Sequence, residues 1–227
     1  LTAINDMAVA SDASGLTRDM LETALGSGTL LEKTLRHFEL YQDSIAGQSG
    51  IADVAALEAV IASANTQKGI EVVQSYATAD DAANLSGQEL ATAGVSGSTI
   101  LPYNLEAYQD SVAGSTAEQV STTAEIQGLV DLVNSMENTN ALDMILAMSN
   151  GGDTTALTIQ MFQKAVVDYR DADYLQAYKA AIYDADALTT LAELQAVVDV
   201  VNALEYIKEM PGSNDADDLT IDMLQTA

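Results

Sequence analysis

The chain has 227 residues, 34 acidic and 8 basic, for a net charge of -26, and 48% of it is hydrophobic. That apolar content suffices for packed cores, while the charge repels nucleic acid and anionic lipid and leaves no basic patch to follow a phosphate backbone. Zero cysteine and a single histidine, His37, exclude disulfides, thiolate nucleophiles and histidine-built metal clusters, so any metal must be held by oxygen.

Membrane insertion is not expected. No apolar run approaches the roughly 20 residues a spanning helix needs, and even "ALDMILAM" carries Asp143. Leu1 in place of an initiator methionine leads to the expectation of a processed or excised N-terminus. Strong acidity suits a saline, marine or calcium-rich extracellular setting, where screening relieves self-repulsion.

The first predicted helix follows a Leu-Thr or Leu-Ser pair, found at Leu16-Thr17, Leu85-Ser86, Leu157-Thr158 and Leu219-Thr220. The hydroxyl residue can cap exposed N–H groups. The pairings of Leu16 with Leu21, Leu85 with Leu90, Leu157 with Phe162 and Leu219 with Leu224 have the spacing of a hydrophobic staple. Ser86 with Glu89 adds a capping box. The second helix carries one apolar face through Phe38, Tyr41 and Ile45, through Leu105, Tyr108 and Val112, and through Leu175, Tyr178 and Ile182. A third has its stripe at Leu57, Val60, Ile61 and Ala64, at Ile126, Leu129, Val130 and Val133, and at Leu194, Val197, Val198 and Val201. Asp53, Thr122 and Thr190 stand at its cap, with Glu125 and Glu193 placed for capping boxes.

These elements recur. Asn65, Asn134 and Asn202 are separated by 69 and 68 residues, and Tyr41, Tyr108 and Tyr178 by 67 and 70. The expected fold is all-α: tandem three-helix-bundle repeats of about 70 residues in an elongated array, with helices shared or continuous between repeats. Residues 1-68, 69-140 and 141-202 form three repeats, and 203-227 start a fourth. After Asn202 no glycine or proline interrupts the pattern before Met210, so the third helix is predicted to run on, with Leu204, Ile207 and Met210 continuing its apolar face. The corresponding stretches "NTQKGIEVV" and "NSMENTNALDMI" contain Gly69 or several asparagines and predict a kink or break.

Candidate sites are few. The three tyrosines read as core residues whose hydroxyls reach the surface. Asn65, Asn134 and Asn202 read as repeat-junction residues that cap or bend a helix or bond to a neighbouring unit. The loops "SDASG", "TADDAAN", "SNGGD" and "PGSNDADD" lack EF-hand spacing and read as solvated, helix-capping turns. Calcium is the one cofactor the composition leaves open, with Asp215, Asp217 and Asp218 the best-placed ligands. His37 lies beside an apolar helix face with no nucleophile motif, and Gly151-Gly152 lacks the context of a phosphate loop. No enzyme signature is present.

"YLQAYKAAI" followed by "TLAELQAVVDVVN" resembles the GA-like three-helix modules and related tandem repeats of large acidic bacterial surface proteins and adhesins. The resemblance implies three-helix bundles on a cell surface, some of which bind host serum proteins. The longer unit here and loops such as "AGVSGSTILPYN" depart from a compact GA module, so serum-protein binding is assigned to no residue. The expected function is a non-catalytic structural or adhesive repeat region of an extracellular bacterial surface protein, a stalk or matrix module. The alternatives are a self-assembling filament or surface-layer subunit with head-to-tail docking, and a ligand-binding helical-repeat domain. Expected partners are other proteins or neighbouring copies of the chain, not nucleic acid.

Overall fold

The computed structural model describes residues 1–25 and 38–213, with the backbone alone described over 210–213. Among these residues the chain is all-α, with ten α-helices, three short 3-10 turns and no strand. In chain order the helices are α1 (Thr2–Val9), α2 (Arg18–Leu25), α3 (Phe38–Ala46), α4 (Val54–Ala79) and α5 (Gly87–Thr92). They continue as α6 (Leu105–Ala113), α7 (Thr123–Leu146), α8 (Ile159–Lys164), α9 (Leu175–Asp184) and α10 (Leu191–Ser213). The 3-10 turns are Pro102–Asn104, Ala117–Val120 and Ala172–Tyr174.

Helix starts follow from local chemistry. The Asp53 carboxylate accepts the Ala56 N–H at 2.8 Å and opens α4. Thr122 accepts from the Glu125 N–H and Thr190 from the Glu193 N–H, and each glutamate reaches back to the residues just before its helix. Thr17, Ser86 and Thr158 each accept the N–H three residues on. Satisfying otherwise orphaned donors fixes where each helix begins.

Contacts divide the chain into two compact units, Leu1–Asp131 and Leu132–Ala227. In the first, Ile4 and Ala8 of α1, Leu21 of α2 and Tyr41 and Ile45 of α3 close over Leu57, Ile61 and Ala64 of α4. The rest of α4 buries Ile70, Val73 and Ala77 and packs on α5, α6 and the Ala117–Val120 turn. One helix thus contributes to two sets of buried side chains. Val73 and Ala77 stand 69 residues after Ile4 and Ala8, and Leu85 and Leu90 stand 69 after Leu16 and Leu21. In the second unit, Ala141 and Ile145 of α7 meet Phe162, Tyr178 and Ile182, closed by Leu194, Val198 and Val201 of α10.

The predicted break after Asn65 and Asn134 is not found. α4 and α7 run unbroken through both stretches, as α10 does through Asn202. Gly69 is there for proximity: a Cβ on it would lie 2.4 Å from the Ala93 nitrogen and 2.5 Å from the Thr92 carbonyl carbon. In α7, Ala141 and Ile145 are buried beyond the asparagines, and the Thr139 hydroxyl bonds back to the Ser135 carbonyl within the helix. Tertiary packing there outweighs the poor helix propensity of Asn and Gly. A second correction concerns Leu204, predicted on the buried face but 39% exposed. It stands one turn beyond Val200 on the outward side of α10, while the buried row passes through Leu194, Val198 and Val201.

Candidate functional site

The recurring asparagines lie at the middles of the long helices, and two of them meet the recurring tyrosines there. Asn65 lies inside α4, Asn134 inside α7 and Asn202 inside α10, so none caps or ends a helix. The Tyr41 hydroxyl donates to Asn65 Oδ1 at 2.5 Å, and the Tyr178 hydroxyl to Asn202 Oδ1 at 2.5 Å. In each case a fully buried ring, on α3 or α9, presents its polar tip to the long helix α4 or α10. The Tyr108 hydroxyl donates to the Thr99 carbonyl and accepts the Leu101 N–H. Around Asn202 the backbone N–H of Arg170 reaches both the Tyr178 oxygen, at 3.3 Å, and Asn202 Oδ1, at 3.2 Å. Burial pushes the Tyr178 phenol above its ordinary value, so it stays a neutral donor throughout the physiological range.

Beyond Asn202, α10 is fastened to the segment leading into α9. The Arg170 guanidinium carbon sits 3.7 Å from the centre of the Tyr206 ring, and the Tyr174 hydroxyl donates to Glu209 at 2.6 Å. Burial, then the Glu209 carboxylate, raises Tyr174 to about 12. These contacts hold the run-on half of the helix.

The polar loops before α2, α5 and α8 form a second recurring device. The carboxylates of Asp12, Asp81 and Asp153 each accept the N–H two residues on, at 2.9, 3.1 and 2.9 Å. The loop carbonyls are then gripped by the residue after the tyrosine. Gln42 Nε2 reaches the Ser14 and Leu16 carbonyls, Gln109 Nε2 those of Ala83 and Leu85, and Lys179 Nζ that of Thr155. A third device links Gln127 and Gln195. Each donates to the carboxylate four residues on, Asp131 or Asp199, and accepts a loop N–H, from Ser96 or Asp168. The sequence reading missed all of these donors, although a long polar side chain after each tyrosine was the available signal.

Among the described residues no three His, Cys, Asp or Glu side chains are grouped to hold a metal ion. The calcium candidates Asp215, Asp217 and Asp218 lie outside the described residues, as does His37. An open groove of about 660 Å³ lies between α3 and α4, walled by uncharged side chains. No helix among the described residues is long and apolar enough to cross a membrane. No family model, no curated protein and no solved structure matches the chain.

The caps make a prediction about acid. Hydrogen bonds from Ser121 and Thr122 lower the Glu125 carboxyl, those from Thr189 and Thr190 lower Glu193, and turn bonds lower Asp12 and Asp153. A depressed carboxyl contributes stability that is complete above its unfolded value, 4.5 for Glu and 3.8 for Asp, and is lost as pH falls through the folded value. Opposing this, neutralising a net charge of -26 relieves self-repulsion. At low ionic strength the melting temperature should therefore rise from pH 7 to about 5 and fall below about 4. A melting temperature that declines steadily from pH 7 downward would reject this balance.

Proposed function

We propose that this chain is a non-catalytic structural and adhesive region of an extracellular bacterial surface protein, built from tandem three-helix repeats that share their long helices. The observation that carries the reading is α4. One unbroken helix supplies Leu57, Ile61 and Ala64 to one core, and 69 residues after Ile4 and Ala8 it supplies Val73 and Ala77 to the packing against α5 and α6. A helix belonging to two neighbours couples them without a hinge, which suits a load-bearing spacer. The polar side chains described above are spent on caps, turns and helix-to-loop bonds, as a scaffold requires.

Small-angle scattering of the chain tests the architecture. An array gives a radius of gyration well above the roughly 17 Å of a globule this long, and a value near that figure would reject it. Inserting Gly-Gly-Ser after Asn65 should loosen the array and broaden the distance distribution. Antibody labelling of intact against permeabilised source cells tests the location, and labelling only after permeabilisation would reject a surface role.

A further inference from the structure

The turn after α7 is built differently from the turns after α1 and α4. Ser11, Asp80 and Asn150 stand 69 and 70 residues apart, and each holds a left-handed backbone shortly past a helix end, with φ of 53°, 51° and 55°. After α1 and α4, the amides of the left-handed residue and its successor turn back onto their own helix. Ser11 and Asp12 donate to the Ala8 and Met7 carbonyls, and Asp80 and Asp81 to those of Ala77 and Tyr76. After α7 the same two amides leave their helix. The Asn150 N–H donates to the Ala185 carbonyl and the Gly151 N–H to the Tyr183 carbonyl, both at 2.8 Å. In return the Leu188 N–H donates to Ser149 Oγ at 2.9 Å. Three bonds thus latch this turn to the end of α9 and the segment beyond it.

Asn150-Gly151 is also the chain's single Asn-Gly pair, and both residues are exposed. A glycine nitrogen has no side chain beside it to hinder attack on the carboxamide that precedes it. We propose that Asn150 is a self-modification site, which deamidates when the latch opens and whose isoaspartate product keeps the latch from closing. Water or hydroxide takes the Gly151 N–H proton, and the nitrogen bonds to Asn150 Cγ. The bond from Cγ to the side-chain nitrogen breaks, ammonia leaves, and a succinimide ring remains. Water then adds to one of the two ring carbonyls. Addition at Cγ restores the main chain and leaves aspartate, whereas addition at the main-chain carbonyl carbon leaves isoaspartate.

The latch governs the first step, because in the closed turn the attacking nitrogen carries a proton committed to Tyr183. The two products then differ. Aspartate fits, since Asp80 already holds the same left-handed conformation at the corresponding position. Isoaspartate routes the main chain through the former side chain and adds a methylene between the two amides that reach Ala185 and Tyr183, so both bonds cannot re-form. The inference rests on this turn alone, whatever structural or adhesive role the chain has.

Ageing the full chain in mildly alkaline buffer, folded or in urea, tests it, with peptide mass spectrometry that separates aspartate from isoaspartate. Asn150 should be the fastest-reacting asparagine of the folded chain, yet at least about tenfold slower than in urea, where no latch holds the amide. Ser149→Ala deprives the Leu188 N–H of its acceptor and should narrow that gap several-fold. Urea too dilute to unfold the chain should do the same without a substitution. Amide exchange over residues 183–188 should be faster in the isoaspartate form than in the unaged chain, and unchanged in Asn150→Asp, which gains the charge without the methylene. An Asn150 that stays intact in the folded chain overturns the site. Equal rates folded and in urea, or a gap that neither Ser149→Ala nor dilute urea narrows, overturns the gating. Exchange in the isoaspartate form that matches Asn150→Asp overturns the unlatching.

Discussion

Tyr178→Ala is expected to destabilise the Leu132–Ala227 unit by about 3–5 kcal/mol, and Tyr178→Phe by about 1 kcal/mol. The ring is fully buried, edge-on to Phe162 with centroids 5.4 Å apart and at 62° to Tyr174, 6.3 Å away. Truncation opens a cavity whose walls belong to three helices and cannot all collapse together. The hydroxyl is worth less because its loss leaves Asn202 Oδ1 still facing the Arg170 N–H at 3.2 Å. Asn202→Ala removes the common acceptor and should interact non-additively with Tyr178→Phe, since both side chains belong to one bond. Urea unfolding, with amide exchange read over residues 141–202, reports these changes. A loss below about 1 kcal/mol for the alanine variant would show that Tyr178 is not a centre of this core.

Which features were legible in the sequence follows from how far each reaches along the chain. Caps are local: Thr190 and Glu193 are three residues apart, and their chemistry is complete within one turn. The buried stripes are periodic, so Leu57, Ile61 and Ala64 declare a helix face before any partner is known. Tyr41 and Asn65 were both marked by recurrence, yet their bond spans 24 residues and depends on how two helices pack. The grip of Gln42 on the loop at Ser14 and Leu16 is of the same kind. Leu204 shows the limit of periodicity, because a pattern identifies an apolar face but not whether anything covers it.

The asparagines changed meaning most. Recurrence made Asn65, Asn134 and Asn202 candidates for capping or bending a helix, and in place two of them are acceptors for a buried tyrosine from within an unbroken helix. An isolated helix gains nothing from asparagine at such a position. Its value arises from the packing of α3 on α4 and of α9 on α10, where the hydroxyl of a buried tyrosine donates to it. Asn65 and Asn202 thus mark a polar register between α4 and α3 and between α10 and α9, inside helices that continue past them. In the second unit Arg170 with Tyr206 and Tyr174 with Glu209 extend that hold toward the end of α10.

Gly69→Ala and Gly128→Ala, the same substitution in two long helices, are expected to have opposite signs. In a free helix, alanine is favoured over glycine by about 1 kcal/mol. Gly128 lies on the exposed side of α7 with nothing within 4 Å of a built Cβ, so Gly128→Ala should stabilise by about 0.5–1 kcal/mol. Around Gly69 the atoms at 2.4, 2.5 and 2.7 Å are all backbone of Thr92 and Ala93 at the end of α5, and backbone cannot rotate aside. Gly69→Ala must push α5 from α4, and should cost about 1–3 kcal/mol despite its better propensity. Urea midpoints at unchanged slope measure both. If Gly69→Ala also stabilises, α4 is not clamped to α5, and a helix free on one side transmits no rigidity from the first set of buried residues to the second.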